Sequence, residues 1–579
     1  MTKLVAIFAR VLASIALVSL AIPAHSQHNE IVENLSPRIQ QPVYGSSGMV
    51  VSQNGLASEV GAQVLRDGGN AIDAAVATGF ALAVTLPRAG NIGGGGFMVV
   101  YLGEERRSLV IDYRTIAPAA ARTEMYIDSD GNESAAASSG YIAPSVPGTV
   151  AGLYHAHQRY GRLPWERVVA PAIRLAEEGF ALSHEHVAVF AAGKGRIMRS
   201  DAAFSAYFKP DGSAYAPGEI LRQPDMAWTL RQISQFGANG FYSGEVARKI
   251  AEDMARHGGL ITQADLSAYR PIEREAVSGT YRGLTVISAP PVSSGGTALI
   301  EMLNLLEPYD LASMGAGSAA SLHLLSEVMK LGTVDRRKYI GDPAFFRLPV
   351  EQLISKEYAR ERGQRISLTR ALHPRDHAQV DPWSFESQNT THFSVADAEG
   401  NAVSNTYTLG SDFGSGVMVE GAGFLLDNQM NNFSHEVAYR AERDGRQAPV
   451  NALAPGKRMS SSMTPTIILK DNQPWLVTGS PGGSTIIGNV LQVIVGVVDF
   501  GLNAAEATNQ PRIHQEGTNL LSIEQALNPD TQAILSSMGH ELRVSDFAFG
   551  SAQTIMIEPG NRFSGAADPR RPDALAVAP

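Results

Sequence analysis

Apolar and small residues follow two different spacings along this chain, and these spacings predict its helices and strands. Helical spacing covers residues 55–85, apart from a break at the turn Asp67-Gly68-Gly69-Asn70. Further helices are predicted over residues 149–160, 165–179, 227–236, 244–258, 297–306 and 484–500. Short apolar runs between turn residues predict strands over 49–51, 97–102, 108–113, 281–289, 391–397, 402–409, 465–470 and 475–480. The pattern indicates an α/β protein in which residues 434–457 form a polar loop.

The N-terminal residues 1–26 have the pattern of an export signal. Lys3 and Arg10 supply positive charge, and an apolar run over residues 11–22 follows, too short to span a bilayer comfortably. Small residues in Ala24-His25-Ser26 suit a cut before Gln27, although a membrane anchor is the alternative. Because no other long apolar segment follows, we expect a soluble mature protein in the periplasm or outside the cell, without a stable membrane anchor.

Composition narrows the possible partners. The chain has 579 residues, of which 44% are hydrophobic and 18% charged, and this favours a folded protein with a large core. A net charge of −10 without a basic stripe argues against a nucleic-acid partner. The absence of cysteine excludes disulfides and Cys-based metal or redox chemistry. No motif indicates a metal or another cofactor, and His184 and His186 are interpreted as surface residues.

The stretch Asn389-Thr390-Thr391-His392-Phe393-Ser394 carries the main candidate chemistry, at a junction between a loop and a strand. If the Asn389–Thr390 bond is cut, Thr390 gains a free α-amino group beside its own hydroxyl. That amine, with a pKa of about 7.7–8.0 in model peptides, can act as general base for the hydroxyl at neutral pH. An ordinary Thr-rich strand is the alternative interpretation.

Gly482 and Gly483 lie where a predicted strand becomes a predicted helix. Free backbone N–H groups point out of such a junction, so the pair is a candidate oxyanion hole, with a plain Gly-rich turn as the alternative. The Gly-rich loop at residues 93–96 lacks the residues of a phosphate-binding motif. The chain also lacks G-x-S-x-G and H-E-x-x-H, the signatures of serine and zinc hydrolases.

Several motifs together resemble the γ-glutamyltranspeptidase family of N-terminal nucleophile (Ntn) hydrolases, across nearly the whole chain after the signal. They comprise residues 68–75, 93–97, 147–152, 293–296, 390–392, 461–463 and 479–484. The resemblance implies a four-layer αββα sandwich and autocatalytic cleavage between Asn389 and Thr390. A large subunit, residues 27–389, and a small subunit, residues 390–579, would remain together as a heterodimer that forms one domain.

The resemblance also implies roles for individual residues. By position, Thr390 resembles the nucleophile, Thr408 the hydroxyl that hydrogen-bonds it, and Gly482 with Gly483 the oxyanion hole. The residues that match those holding the substrate α-carboxylate are Arg114, Ser461 and Ser462. An Arg fork suits a carboxylate physically. The expected substrate is a small γ-glutamyl amide such as glutathione, with water or an amine as acceptor.

The side of the pocket that would hold the substrate amine departs from the family pattern. Thr115 replaces an acidic residue, Gly410 an Asn, and Asn432 an Asp, so that Gln429 alone matches there. An ammonium loses two anionic partners by these changes, which favours hydrolysis over transfer and keeps open a glutaryl or cephalosporin-type acylase. A binding protein that captures carboxylates without turnover is a third possibility.

The polar loop at residues 434–457 is a candidate lid over the site. It carries Arg440, Arg443 and Arg446, which could favour an anionic leaving group, although a solvated basic loop is the alternative.

Overall fold

Two seven-stranded antiparallel sheets form the middle of the protein, in a computed structural model that describes residues 41–373 and 389–579. In chain order the strands are β1 (Val43–Gly45), β2 (Gly48–Ser52), β3 (Gly95–Leu102), β4 (Arg107–Asp112), β5 (Phe180–Ala181), β6 (Ile220–Leu221), β7 (Ile272–Arg274), β8 (Val277–Tyr281), β9 (Leu284–Ser288), β10 (Thr391–Asp397), β11 (Ala402–Thr408), β12 (Thr466–Lys470), β13 (Gln473–Thr478), β14 (Ile513–Gln515), β15 (Leu520–Ile523), β16 (Glu541–Val544), β17 (Gln553–Glu558), β18 (Arg562–Ala567) and β19 (Leu575–Val577). One sheet has the order β1-β18-β17-β13-β12-β9-β8 and the other β19-β2-β10-β11-β3-β4-β7. The remaining strands form a three-stranded sheet, β14-β15-β16, and the pair β5-β6.

The helices cover the outer faces of the two large sheets. They are α1 (Gly55–Arg66), α2 (Ala71–Thr85), α3 (Thr149–Tyr160), α4 (Trp165–Glu178), α5 (His184–Ile197), α6 (Asp201–Tyr207), α7 (Pro224–Phe236), α8 (Asn239–Tyr242), α9 (Glu245–His257), α10 (Gln263–Ala268), α11 (Gly295–Leu306), α12 (Leu311–Met314), α13 (Ala319–Tyr339), α14 (Val350–Leu353), α15 (Lys356–Gly363), α16 (His435–Arg443), α17 (Ile486–Val498), α18 (Ala504–Asn509) and α19 (Pro529–Ser537). Within the described residues, 3₁₀ turns span Thr123–Tyr126, Ala135–Ala137, Gln429–Asn432 and Gly483–Thr485.

Strand alternation builds the layers. On β3, Phe97 and Val99 point into an apolar cluster shared with the opposite sheet, whereas Met98 and Val100 point into the cluster formed with the helices. This is the two-residue period of a strand buried on both faces. Helices α1 and α2 belong to the cluster on one outer face, and α11, α13 and α17 to the cluster on the other. The predicted four-layer αββα fold is therefore confirmed.

Both large sheets mix strands from before and after Thr390. Strands β10 and β11 lie between β2 and β3, so residues that follow Thr390 form the middle of one sheet. In the other sheet β12, β13, β17 and β18 lie between β1 and β9. Residues Pro42–Pro579 form one compact unit.

Three notable features of the structure were missed or contradicted by the predictions from the sequence. Helix α13 was not predicted, because its buried positions include charged residues such as Glu327, Lys330 and Asp335 that hide the apolar pattern. The prediction that His186 lies at the surface was wrong, since its ring is buried and its Nε2 lies 2.7 Å from the Thr85 carbonyl oxygen. His184 is exposed, as expected.

The third difference concerns the polar loop at residues 434–457, which contains helix α16. Its first residue, His435, is buried and stacks on Tyr126 with ring centroids 4.4 Å apart.

Among the described residues, no helix is both long and apolar enough to cross a bilayer. The export signal at residues 1–26 lies outside the described residues.

Candidate active site

Thr390 and Thr408 lie at adjacent ends of two paired strands. Because Thr391 on β10 pairs with Tyr407 on β11, the antiparallel register brings the preceding residue, Thr390, next to Thr408. The Thr390 hydroxyl donates to Thr408 Oγ1 at 3.2 Å, and both residues are buried. The predicted pairing of these two hydroxyls is present in the structure.

The Thr408 hydroxyl also contacts the carbonyl of the Asn389–Thr390 peptide bond. It donates to the Asn389 carbonyl oxygen at 2.8 Å and accepts the Gly410 N–H at 2.8 Å. A donor at this position can stabilise negative charge that develops on the carbonyl oxygen during attack by the Thr390 hydroxyl. The geometry is therefore suited to cleavage of this bond within the chain itself.

His392 is not available as the general base for Thr390. Its ring is fully buried, and burial lowers its pKa to about 3. Nδ1 lies 2.8 Å from Thr406 Oγ1 and Nε2 lies 3.1 Å from Ser394 Oγ, so both ring nitrogens are used within the sheet. Because this imidazole is neutral and enclosed, the free α-amine of Thr390 remains the candidate base, as the sequence indicates.

Gly482 and Gly483 form the turn between β13 and α17. Both have positive φ angles, 134° and 57°, and a Cβ at Gly482 would clash with Thr485 Oγ1, so glycine is required at this position. Within the part of the chain that the structure describes, neither amide N–H donates to a protein acceptor. Gly482, Pro481 and Thr390 line one cavity of about 150 Å³, which brings the candidate oxyanion donors to the nucleophile.

Arg114 is buried, 1% exposed, two residues after the end of β4. Its Nε and Nη2 donate to the carbonyl oxygens of Met459 and Ser460, at 3.3 Å and 3.1 Å. These two bonds fix the plane of the guanidinium and attach it to the segment that carries the candidate serines. A fixed, buried guanidinium is suited to binding a carboxylate.

Ser461 and Ser462 connect this carboxylate side to the oxyanion turn. Ser461 Oγ accepts the Met463 N–H at 3.1 Å, and among the described residues its own O–H has no acceptor. Ser462 donates to the Gly483 carbonyl oxygen at 2.6 Å. The predicted carboxylate residues and the glycine pair are therefore parts of one connected structure.

The 3₁₀ turn Gln429–Asn432 presents amide oxygens without partners. Gln429 Nε2 donates to the Thr408 carbonyl oxygen at 3.3 Å, which places this side chain beside the nucleophile pair. The side-chain oxygens of Gln429, Asn431 and Asn432 are buried, and within residues 41–373 and 389–579 none accepts a hydrogen bond. Buried acceptors are normally paired, so three in a single turn indicate a ligand that donates hydrogen bonds.

The sequence analysis missed one buried carboxylate, Asp427, which organises this turn. It accepts hydrogen bonds from the Gln429 N–H at 3.0 Å and from the Ser145 hydroxyl at 2.8 Å. Burial raises its pKa to about 6, an effect that these hydrogen bonds and the positive charge of Arg114 oppose. An acidic residue directly after the apolar residues 424–426 was the signal that could have identified it.

The two other departures from the family pattern have local explanations. Gly410 has a φ of 90°, and a Cβ there would clash with Asn428 Oδ1, so the Asn428 side chain takes the space of a larger residue at position 410. Thr115 is fully buried, and its hydroxyl donates to Met459 Sδ at 3.3 Å. Neither position offers an anion to a substrate.

The arginines of the candidate lid make contacts at the surface. Arg440 is paired with Glu436 at 2.5 Å and donates to Asn132 Oδ1 at 3.1 Å. Arg443 and Arg446 have side chains 65% and 63% exposed and pair with Asp444. None of the three lines the cavity at Thr390, which favours the interpretation of a solvated basic surface.

A buried cluster of His323, Glu327 and His540 brings potential metal ligands within 4.8 Å of one another. Most of its polar atoms are engaged within the protein, whereas His540 Nδ1 is buried without a hydrogen-bond partner among the described residues. His323 Nδ1 lies 2.7 Å from His540 Nε2, while Glu327 accepts the Leu372 N–H at 2.8 Å and pairs with Lys330 at 2.7 Å. These contacts fasten the segment around Leu372 to α13.

Comparison with known proteins identifies the family of this chain. A family model described as Gamma-glutamyltranspeptidase matches residues 57–578. The glutathione hydrolase proenzyme of Escherichia coli (strain K12) is 41% identical over 541 residues, 93% of this chain and 92% of that protein. The Acylase ACY 1 proenzyme of Pseudomonas sp. (strain SE83) is 38% identical over 540 residues, 91% of this chain and 93% of that protein.

A solved structure supports the same assignment. The cephalosporin acylase from Bacillus halodurans has a TM-score of 0.83 and 31% sequence identity, and the match covers 94% of this chain and 98% of that chain. The family model spans nearly all of the described residues, and the motifs that it covers include the threonine pair and the glycine turn. The chain belongs to the gamma-glutamyltranspeptidase family of Ntn hydrolases.

Proposed function

We propose that this protein is a γ-glutamyl hydrolase and transferase that cleaves γ-glutamyl amides such as glutathione through an acyl-enzyme on Thr390. One observation carries the choice of acyl group. The turn Gln429–Asn432 holds three buried amide oxygens without partners, and the site also has the buried guanidinium of Arg114, which suits a carboxylate. A γ-glutamyl group has both an α-carboxylate and an α-ammonium, and its ammonium supplies the donors that these oxygens lack.

The precursor first cleaves itself. The Thr390 hydroxyl attacks the Asn389 carbonyl carbon, and the Thr408 hydroxyl, 2.8 Å from the carbonyl oxygen, stabilises the negative charge. The C–N bond breaks, the amide nitrogen takes up a proton, and an ester joins Asn389 to Thr390 Oγ1. Water hydrolyses this ester, leaving a carboxylate on Asn389 and a free α-amine on Thr390.

The mature site then cleaves its substrate. The α-amine takes the proton of the Thr390 hydroxyl, whose oxygen attacks the γ-carbonyl carbon. The N–H groups of Gly482 and Gly483 stabilise the oxyanion, and the ammonium of Thr390 returns the proton to the leaving amine. Water releases glutamate from the acyl-enzyme, or an amine acceptor takes the γ-glutamyl group.

Arg114 and Ser461 hold the substrate α-carboxylate, with Ser462 connecting them to the oxyanion turn. Gln429 Oε1 and Asn432 Oδ1 accept hydrogen bonds from the α-ammonium. A neutral amide accepts a weaker hydrogen bond from an ammonium than a carboxylate does. The affinity for the α-ammonium is therefore reduced but not lost.

A glutaryl or cephalosporin-type acylase is the second candidate function. It is favoured by the lack of an anion at Thr115, Gly410 and Asn432 and by the 38% identity to an acylase proenzyme. A glutaryl group, however, would leave the oxygens of the Gln429–Asn432 turn without donors. Leaving buried acceptors unpaired is costly, and this favours the γ-glutamyl group.

Two chromogenic anilides that differ only in the α-amino group test the choice. We expect the purified protein to hydrolyse γ-glutamyl 4-nitroanilide with a higher kcat/KM than glutaryl 4-nitroanilide. Asn432→Asp should increase this preference by about tenfold, since a charge-assisted bond replaces a neutral one. Asp471→Asn, at a surface turn, serves as the control. Equal or better turnover of the glutaryl anilide would assign the acylase function instead.

We propose in addition that the precursor is exported with removal of residues 1–26. The large and small subunits, residues 27–389 and 390–579, then remain together in the periplasm or outside the cell. The sequence pattern of the first residues supports this localisation, and the proenzyme names of the relatives support the processing.

A further inference from the structure

The cavity at Thr390 extends away from the residues assigned to the acyl group. It is lined on one side by Thr390 and Gly482 and on the other by residues of the C-terminal segment, Phe547, Ala548, Gly550 and Arg571. Arg114, Ser461, Ser462 and Gln429 do not line it. If the acyl group lies toward Arg114, this cavity therefore lies on the side of the leaving amine, where an acceptor would also enter.

Arg571 brings positive charge with unused donors to this cavity. Its contacts with acidic groups comprise one ion pair, with Glu185 at 3.7 Å, beyond hydrogen-bond distance. Among the residues that the structure describes, none of its side-chain N–H groups donates a hydrogen bond. A guanidinium has five such donors, so the side chain retains the capacity for a bidentate bond to an anion.

The neighbouring Arg570 also lines the cavity, but its donors are occupied. It forms two bonds with Glu524, at 2.7 Å and 2.6 Å, and one with Asp568 at 3.1 Å. The charged groups near Arg571 are Arg88, Asp412, Glu185 and Asp568, and Arg88 is itself paired with Asp412 at 3.3 Å. Burial and Arg88 lower the pKa of Arg571 to about 10, so it remains a cation at neutral pH.

Apolar residues line the same cavity as this cation. Phe547 is 51% exposed, an unusual degree for a Phe, and it lies in the cavity lining with Ala548. A cation and an exposed aromatic ring that line one cavity suit a molecule that has an apolar part and a carboxylate.

We propose that Arg571 and Phe547 form a subsite for the leaving amine and the acceptor, and that this subsite selects amines that carry a carboxylate beyond the scissile bond. The inference rests on the proposed function for the direction of the acyl group. The sequence suggested that arginines of the candidate lid favour an anionic leaving group. The proposal assigns this role to Arg571, which lines the cavity. The carboxyl end of a dipeptide and the carboxylate of a β-lactam nucleus share the chemistry that the subsite would recognise.

A matched pair of donors tests the proposal, γ-glutamyl 4-nitroanilide and γ-glutamyl 3-carboxy-4-nitroanilide. The ratio of their kcat/KM values reports on the leaving-group carboxylate alone. We expect the wild type to favour the carboxylated anilide, and Arg571→Gln to lower the ratio by about tenfold through a higher KM, the loss of a charge-assisted hydrogen bond. Arg571→Lys should retain part of the preference. Glu185→Gln should raise the ratio, because it removes the competing anion.

Arg446→Gln is the matched control, since Arg446 is an exposed arginine outside the cavity. A gel of each variant checks that the chain has been cut. Binding of 5-amino-2-nitrobenzoate, the free leaving amine, to the cut enzyme by calorimetry is a second readout that requires no acyl group. Weaker binding to Arg571→Gln than to the wild type supports the proposal.

The proposal is overturned if Arg571→Gln leaves both the ratio and the binding within twofold of the wild type, or if Arg446→Gln changes them equally. Failure of the proposed function has a different signature, a cut enzyme that is inactive on both γ-glutamyl anilides. In that case the corresponding glutaryl pair measures the same ratio, because the two pairs have the same leaving groups.

Discussion

At the scale of the residue, Thr390 is proposed to act twice, first within the uncut chain and then as the first residue of the smaller chain. Before cleavage its hydroxyl bonds to Thr408, whose own hydrogen bond goes to the carbonyl of the bond to be cut. After cleavage the α-amine becomes available in the same place. The buried, neutral His392 contributes to the sheet rather than to proton transfer.

Thr408→Ala should slow the cut between Asn389 and Thr390 by roughly 100-fold, because the donor to the carbonyl oxygen is lost. Thr408→Ser keeps the hydroxyl and should cut at a rate near that of the wild type. The appearance of two bands on a denaturing gel, followed over time after purification, measures both rates. Equal rates for the Ala and Ser variants would show that this hydroxyl has no role in the cut.

The pH dependence of hydrolysis should identify the base. The α-amine acts only when it is deprotonated, so kcat/KM should rise with pH through a pKa of about 7.7–8.0, the value for an N-terminal amine, and then level off. A stopped-flow or plate assay with γ-glutamyl 4-nitroanilide gives the profile. If the activity is already maximal at about pH 5 and falls only near the pKa of His392, about 3, the imidazole would be favoured as the base instead.

At the scale of the element, the turn between β13 and α17 is the proposed oxyanion hole, and a second loop holds it in place. Gly550, with a φ of 66°, lies against this turn, so closely that a Cβ would clash with the Pro481 carbonyl oxygen and with Asn489 Nδ2. The position of Gly482 therefore depends on a residue far along the chain.

Gly550→Ala should reduce kcat at least tenfold and lower the melting temperature, because overpacking of about 1–3 kcal/mol would displace the turn. Gly560→Ala is the control. Gly560 also has a positive φ, 82°, but a Cβ there meets no atom within 4 Å, so only a backbone cost of about 1 kcal/mol applies. Similar losses in the two variants would mean that backbone strain, and not contact with the turn, is responsible.

Sequence patterns predicted these elements where the pattern is regular. Strand β10 has the predicted bounds, and helix α17, a mostly apolar segment, agrees with the prediction within a few residues at each end. Helix α13 was missed because ion pairs such as Glu327–Lys330 allow charged residues to be buried. Single-sequence periodicity cannot detect such compensation.

The same limit applied to the site. Local motifs indicated Thr390 and Gly482, the family resemblance indicated Thr408, and the structure brings the three together. Asp427 and Arg571 were not identified, because their meaning depends on contacts between segments that are distant in sequence.

At the scale of the whole molecule, cleavage leaves the hydrogen-bonded sheets in place. Strands β10 and β11 are paired on both sides with strands from before the cut, β2 and β3. In the other sheet, β12 is paired with β9. Separation of the two chains would break both sheets and expose the apolar layer between them.

The cut protein should therefore migrate as one species in native size-exclusion chromatography and separate into two chains only in denaturant. Light scattering combined with a denaturing gel of the same peak makes the measurement. Two native peaks, each containing one chain, would contradict the interleaved sheets as the main attachment.

The most direct test of the central claim is the intact mass and N-terminal sequence of the smaller chain. We expect purified active protein to contain a chain that begins at Thr390 and ends at Pro579, and Thr390→Ala to remain uncut and inactive. A smaller chain that begins at another residue, or full activity in a protein that remains uncut, would contradict the role of Thr390 as an N-terminal nucleophile.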